Sequence, residues 1–182
     1  VQNSPPVLLL LPGSRRDELS RHLPVMIESL QRIHAATPNL RAKMVFPSEL
    51  LVQQAKSFGV PADLEIQVGN LAEALAESTV AIASTGTVTM ECAYFGVPTA
   101  AIYKTSWSTY QIGKRIVKVK WLAMPNILAG EEIFPEFIQN DATPENISRA
   151  ALECLNSEGR RNKVKAKLAE VVAKVGGPGA SG

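Results

Sequence analysis

Glu91 stands four residues after Thr87, and both follow a run of small residues, Ser84-Thr85-Gly86-Thr87. On a helix this spacing puts hydroxyl and carboxylate on one face, about one turn or roughly 5–6 Å apart. Small residues at a strand-to-helix turn let backbone amides approach an anion, and the helix start adds roughly half a positive charge. A carboxylate one turn in is placed to accept two hydrogen bonds from the 2′- and 3′-hydroxyls of a ribose whose diphosphate caps the helix. A second turn of this kind, Pro12-Gly13-Ser14-Arg15-Arg16, adds a guanidinium that can grip a phosphate through two parallel hydrogen bonds. Gly69-Asn70 and Tyr103-Lys104-Thr105 are two more loops of the same placement. Together they read as a diphosphate cradle. The competing reading stays open at this level: a Pro-Gly pair is often a plain turn, a Ser or Thr there is often a helix cap, and a glutamate near a helix start is favourable without any ligand.

Other chemistries find little support. His22 and His34 lie twelve residues apart on one expected helix, too far to share a metal. There is no Asp-x-Asp pair to chelate a metal–diphosphate, no G-x-G-x-x-G after the first strand and no G-x-x-x-x-G-K-[ST] loop. No Ser/His/Asp set assembles. No cofactor or metal is expected.

The elements that must position these residues alternate. Val7-Leu8-Leu9-Leu10-Leu11 is a short apolar run of the kind buried on both faces. Further strands are expected at 43–46, 64–68, 80–83 and 99–103. A helix carries Leu19, Leu23, Ile27, Leu30 and Ile33 at three- and four-residue spacing. Others are expected at 49–58 with Gly59 as its cap, at 71–77, after Thr87 to about Phe95, and at 144–156 and 158–175. Between them lie a basic segment, a Pro-Asn loop at 125–126 and an acidic stretch. Alternation of this kind implies an α/β fold, a Rossmann-like parallel sheet flanked by helices with right-handed connections. Ligands then bind beyond the carboxyl ends of the strands, where all four loops fall.

A chain of 182 residues suits one domain, residues 1–182. With 46% hydrophobic and 20% charged residues the composition is that of an ordinary globular domain. The net charge of +2 gives no field that argues for nucleic acid. Charge is uneven locally: residues 104–120 hold five basic side chains and no acid, and 131–145 hold five acids and no base. Cys92 and Cys154 belong to no metal-binding or redox motif and read as reduced thiols. No apolar run is long enough to span a bilayer. The start, Val1-Gln2-Asn3-Ser4-Pro5-Pro6, reads like an interdomain linker, so a fragment of a longer protein is expected.

Five segments in order then carry a resemblance: Leu11-Pro12-Gly13-Ser14-Arg15, Thr85 to Ala93, Gly96-Val97-Pro98, Met124-Pro125-Asn126-Ile127-Leu128-Ala129-Gly130, and Pro135-Glu136-Phe137-Ile138-Gln139. The chain resembles the lipid-A-disaccharide synthase family from about Val7 to Ser181. The resemblance implies a GT-B fold of two facing Rossmann-like domains, with this chain as the C-terminal, donor-binding one. It implies transfer of 2,3-diacylglucosamine from UDP to 2,3-diacylglucosamine 1-phosphate, giving lipid A disaccharide 1-phosphate and UDP. By the same token Ser14 and Arg15 would hold the diphosphate, Thr85, Gly86 and Thr87 would cap it, Glu91 would hold the ribose, and Asn126 would line the donor side of the cleft; Gly13, Gly69 and Asn70 join the substrate-binding set from the cradle of loops. The expected partners are the UDP-sugar donor, the lipid acceptor, the N-terminal acceptor domain absent from these residues, and the cytoplasmic face of the inner membrane. The catalytic base belongs to that absent domain, so the fragment alone is expected to be inactive. One departure is that the family usually has Ser-Gly-Thr where this chain has Thr85-Gly86-Thr87; the hydroxyl is kept. Alternatives are another GT-B enzyme acting on UDP-N-acetylglucosamine (a muropeptide N-acetylglucosaminyltransferase or a 2-epimerase), which would lack the Pro-Asn-Ile-Leu-Ala segment, and a non-catalytic nucleotide-binding module. A membrane-facing arc of Lys114, Arg115 and Lys118, with Trp107, Tyr110 and Trp121 nearby, is a further expectation.

Overall fold

A computed structural model describes residues 4–106, 109–111 and 120–176. Six strands form one parallel sheet in the order β3-β2-β1-β4-β5-β6. They are β1 (Val7–Leu11), β2 (Arg41–Phe46), β3 (Glu65–Val68), β4 (Val80–Ser84), β5 (Thr99–Tyr103) and β6 (Glu136–Ile138). The helices are α1 (Arg16–Ala36), α2 (Glu49–Lys56), α3 (Leu71–Glu77), α4 (Val88–Tyr94), α5 (Met124–Ala129), α6 (Pro144–Leu155) and α7 (Glu158–Val175). A single 3-10 turn, Gln139–Asp141, follows β6.

The central strands explain the two-sided burial. Leu8 and Leu10 of β1 join Val80 and Ile82 of β4 in a core with α1, α2 and α6. Leu9 and Leu11 join Ala81 and Ala83 in a second core with α3, α4 and α7. Successive side chains on a strand point to opposite faces, so an unbroken apolar run is what a strand between two helical layers requires. The alanines of β4 leave room for α4 to pack closely, with Cys92 and Ala93 buried against them. Burial pushes the Cys92 thiol up to about 12, so it stays a protonated, inert core group. Both cysteines are free.

Three expectations change. The sheet has a sixth strand, β6, inside the acidic stretch, where no strand is expected; it pairs with β5 from Ala101 opposite Glu136 to Tyr103 opposite Ile138. Pro125 and Asn126 are not a loop but the second and third residues of α5, where a proline's missing N–H costs nothing. Helix α2 ends at Lys56 with Ser57 as its cap, and Gly59 (φ +85°) serves the turn beyond. The arc of Lys114, Arg115 and Lys118, and Trp107 beside it, lie outside the described residues.

The reversal of strand order falls between β1 and β4, which pair directly from Leu8 opposite Val80 to Leu11 opposite Ala83. Loops leaving the two strands turn to opposite faces there, and a crevice opens at their carboxyl ends.

Candidate functional site

The crevice is built from three turns. The first leaves β1 at Pro12-Gly13. Gly13 has φ +128°, and a Cβ there would lie 2.8 Å from the Glu18 Cβ and Oε2, so only glycine fits. Arg15 is the N-cap of α1 and makes no side-chain cap hydrogen bond. Its carbonyl accepts from the Leu19 amide at 3.0 Å. The second turn follows β3. Gly69 (φ +72°) and Asn70 (φ +53°) are both left-handed. The Gln67 amide holds them from below, donating to the Gly69 and Asn70 carbonyls at 2.7 and 3.0 Å. The third turn follows β4. The Thr85 amide donates to the Ile102 carbonyl at 3.0 Å, Gly86 has φ +130°, and the Thr89 hydroxyl donates to the Gly86 carbonyl at 2.7 Å.

These turns enclose one cavity of about 650 Å³, lined by Gly13, Ser14, Arg15, Gly69, Asn70, Thr85, Gly86, Thr87 and Glu91 among others. Residue type and spacing in the sequence point to each of these. At the helix starts the side chains of Arg15, Asn70 and Thr87 cap no amide, while in α4 the Thr89 and Met90 amides donate to the Gly86 and Thr87 carbonyls at 3.2 and 3.1 Å. Uncapped amides at a cavity wall are the donors an anion needs. Arg15 is exposed and forms no salt bridge among the described residues. Desolvation in the cavity raises the Glu91 carboxyl above its ordinary value. The Glu18 carboxyl is raised by the same cause, opposed by the Ser14 backbone N–H and by Arg15.

Sequence reasoning missed part of the wall. Glu18 lines the cavity, as do Phe46, Pro47, Leu71 and Val88. An acid three residues after a helix N-cap is a recognisable capping pattern and could have flagged Glu18. Pro47, just past β2, and Leu71, the first residue of α3, carry no signal beyond their place in the chain.

Two expected contributions are not brought here. The loop 103–105 does not line the cavity. Asn126 is wholly buried elsewhere. Its Nδ2 donates to the Phe134 carbonyl at 2.7 Å and to Glu136 Oε2 at 2.9 Å, and its Oδ1 accepts from the Ile133 and Phe134 amides at 2.7 and 2.9 Å. Glu136 also accepts from the Leu122 and Ala123 amides at 2.8 and 3.1 Å. With both amide ends engaged, Asn126 clamps α5 to β6 and presents nothing to the cleft.

Residues 1–177 match the family model described as Lipid-A-disaccharide synthetase. The chain belongs to the lipid-A-disaccharide synthase family. Members so named include that of Nitrosococcus oceani, 36% identical over 171 residues, and that of Geobacter sulfurreducens, 34% identical over 177. These alignments cover 92% and 96% of this chain but 44% and 46% of the relatives, so the chain spans a little under half their length. Solved structures share the fold at low identity. WaaG, a glycosyltransferase involved in lipopolysaccharide biosynthesis, matches with a TM-score of 0.61 at 14% identity, over 94% of this chain and 44% of that one. Spinosyn rhamnosyltransferase SpnG, complexed with thymidine diphosphate, matches with 0.63 at 12%, over 95% and 43%. The architecture is that of one domain of a GT-B glycosyltransferase. A putative 2-epimerase from Listeria monocytogenes matches at a TM-score of 0.56 and 15% identity, which is likeness of fold alone.

Proposed function

We propose that this chain is the donor-binding half of a glycosyltransferase that moves 2,3-diacylglucosamine from UDP to 2,3-diacylglucosamine 1-phosphate. The observation that carries the reading is the convergence of the Gly13, Gly69 and Gly86 turns, with uncapped helix starts, on one cavity that also holds Arg15 and Glu91. The diphosphate lies between the Gly13-Ser14 and Gly86-Thr87 turns with Arg15 across it. Glu91 accepts from the ribose hydroxyls, and Pro47, Leu71 and Val88 supply an apolar wall for a base. In the reaction an acceptor hydroxyl oxygen forms the new bond to the anomeric carbon. The bond from that carbon to the β-phosphate oxygen breaks, UDP departs with the electron pair, and the hydroxyl proton passes to a base outside this chain. Charge develops on the departing diphosphate, where fixed amides and Arg15 stabilise it most. The acceptor half and the base belong to residues beyond this chain, and the enzyme works at the cytoplasmic face of the inner membrane. Among the described residues no helix is long and apolar enough to cross a membrane.

Calorimetry tests the reading. UDP is expected to bind more tightly than ADP, with the same affinity in EDTA, and Glu91→Gln is expected to weaken UDP by weakening acceptance from the ribose. Absence of UDP binding, or a strict metal requirement, overturns it. The reaction itself is read in the longer protein with UDP-2,3-diacylglucosamine and its acceptor.

A further inference from the structure

One buried titratable group has no part in the scheme above. His22 lies on α1 with only 1% of its surface exposed. Its Nδ1 is 2.9 Å from the Pro12 carbonyl oxygen, and its Nε2 is 3.0 Å from the Lys104 amide nitrogen. A carbonyl can only accept and an amide N–H can only donate. The ring is therefore neutral with its proton on Nδ1, donating to Pro12 and accepting from Lys104. It joins the turn after β1 to the loop after β5, with Lys104 lying 82 residues beyond His22 in sequence. That loop is held from its other side by Gln139, whose Oε1 accepts from the Thr105 amide at 2.7 Å and whose Nε2 donates to the Thr105 carbonyl at 3.1 Å. The Pro12 carbonyl belongs to the peptide that enters Gly13, the residue with φ +128° that leads into Ser14 and Arg15 on the cavity wall.

We infer that His22 is a positioning residue of the donor site, fixing the Pro12–Gly13 peptide by anchoring it through the imidazole ring to the Lys104 amide. The inference rests on the donor-binding reading of the cavity. His22 touches no ligand; it acts through the turn that does. Protonation at Nε2 would set two donors against each other at Lys104 and release the anchor. Burial holds the ring below its ordinary value of 6.5, with the Pro12 carbonyl opposing and the cations Lys104 and Arg21 lowering it further. The elements packed against α1 carry charges of both signs, α6 adding Arg149 and Glu153, but the charges that act on the ring are the cations Lys104 and Arg21. β4 carries no titratable group, α2 offers Glu49 and Lys56 near its ends, and from α6 Glu145 is already paired with Arg32 at 2.8 Å. Glu18, one turn back on α1, lines the cavity. Because the folded value is depressed, the anchor is fully present above the ordinary value and is lost as pH falls through the lowered one.

The test uses the full chain, with UDP as probe, between pH 7.5 and 5. His22→Leu is expected to weaken UDP roughly tenfold at pH 7.5, the scale of one lost buried hydrogen bond, and to expose the Lys104 amide to hydrogen exchange. His22→Gln, whose amide offers both a donor and an acceptor, is expected to restore most of the affinity. Wild type should lose affinity as pH falls by more than His22→Gln does, since the Gln profile carries the ligand's own phosphate titration without the ring. Wild-type affinity and pH profile in His22→Leu would overturn the inference, as would ring nitrogen shifts placing the proton on Nε2 at neutral pH. A wild-type chain that binds no UDP at any pH would instead overturn the donor reading, and this inference with it.

Discussion

The helix starts divide into two groups. Ser48, Thr143 and Ser157 open α2, α6 and α7, and each side-chain oxygen accepts from the amide three residues on, Leu51, Asn146 and Arg160. Arg15, Asn70 and Thr87 open α1, α3 and α4, and their side chains make no cap hydrogen bond. Thr87 is as able a cap as Thr143 in type, yet its backbone is helical (φ −61°, ψ −27°) while that of Thr143 is extended (φ −106°, ψ 153°). An extended N-cap swings the hydroxyl over the first turn and a helical one does not. The three uncapped starts all face the cavity. The difference teaches that a Ser or Thr before a helix is not one signal: some close a helix and others leave it open for something else to close.

The largest effect should fall outside the cavity. Asn126→Ala strands the Ile133 and Phe134 amides and the Phe134 carbonyl in a buried site. A loss on the order of 3 kcal/mol is expected, since each unsatisfied buried group costs about 1–3 kcal/mol. Denaturant titration reads it, and a variant as stable as wild type would remove Asn126 from the structural side of the division. Arg15→Ala should do the reverse. Removing a charge-assisted hydrogen bond costs about 1.5–3 kcal/mol of binding, roughly 10- to 150-fold in UDP affinity, while the melting temperature stays put. A lower melting temperature with unchanged affinity would make Arg15 a fold residue. The finest test compares two threonines. Thr143→Ala should cost about 1 kcal/mol of stability, the usual worth of a cap, without changing UDP affinity. Thr87→Ala should leave stability within about 0.5 kcal/mol and weaken UDP modestly. Equal stability losses in the two would erase the distinction.

The parts of the molecule that were legible in the sequence share a physical cause. Val7–Leu11 announces a two-sided strand because burial on both faces forbids polar residues there. The cavity turns are legible because left-handed backbone and close approach select glycine, as at Gly13, Gly69 and Gly86. β6 was not legible: three half-buried residues led by an acid carry too little pattern to distinguish a strand. Asn126 and His22 were misjudged or passed over for a different reason. Their roles lie in hydrogen bonds to partners on other elements, which leave no periodic trace along the chain. A Pro-Asn pair looks like a loop, and a single histidine on a helix looks like nothing in particular. Only the fold brings the Ile133 amide or the Lys104 amide to them.

The sheet's two borders carry a consequence for solubility. Outermost strands are natural templates for a neighbouring molecule's backbone. Here they are four and three residues long, β3 and β6. Glu65 on β3 is held in ion pairs with Arg41 and Lys43 at 3.1 and 3.5 Å, which keeps charge at that rim. On β6 the Glu136 carboxylate accepts from the Leu122 and Ala123 amides, which ties those two residues to that strand. Both rims are short and carry charge, so a polypeptide whose centre is almost wholly aliphatic offers little purchase for growth into fibrils.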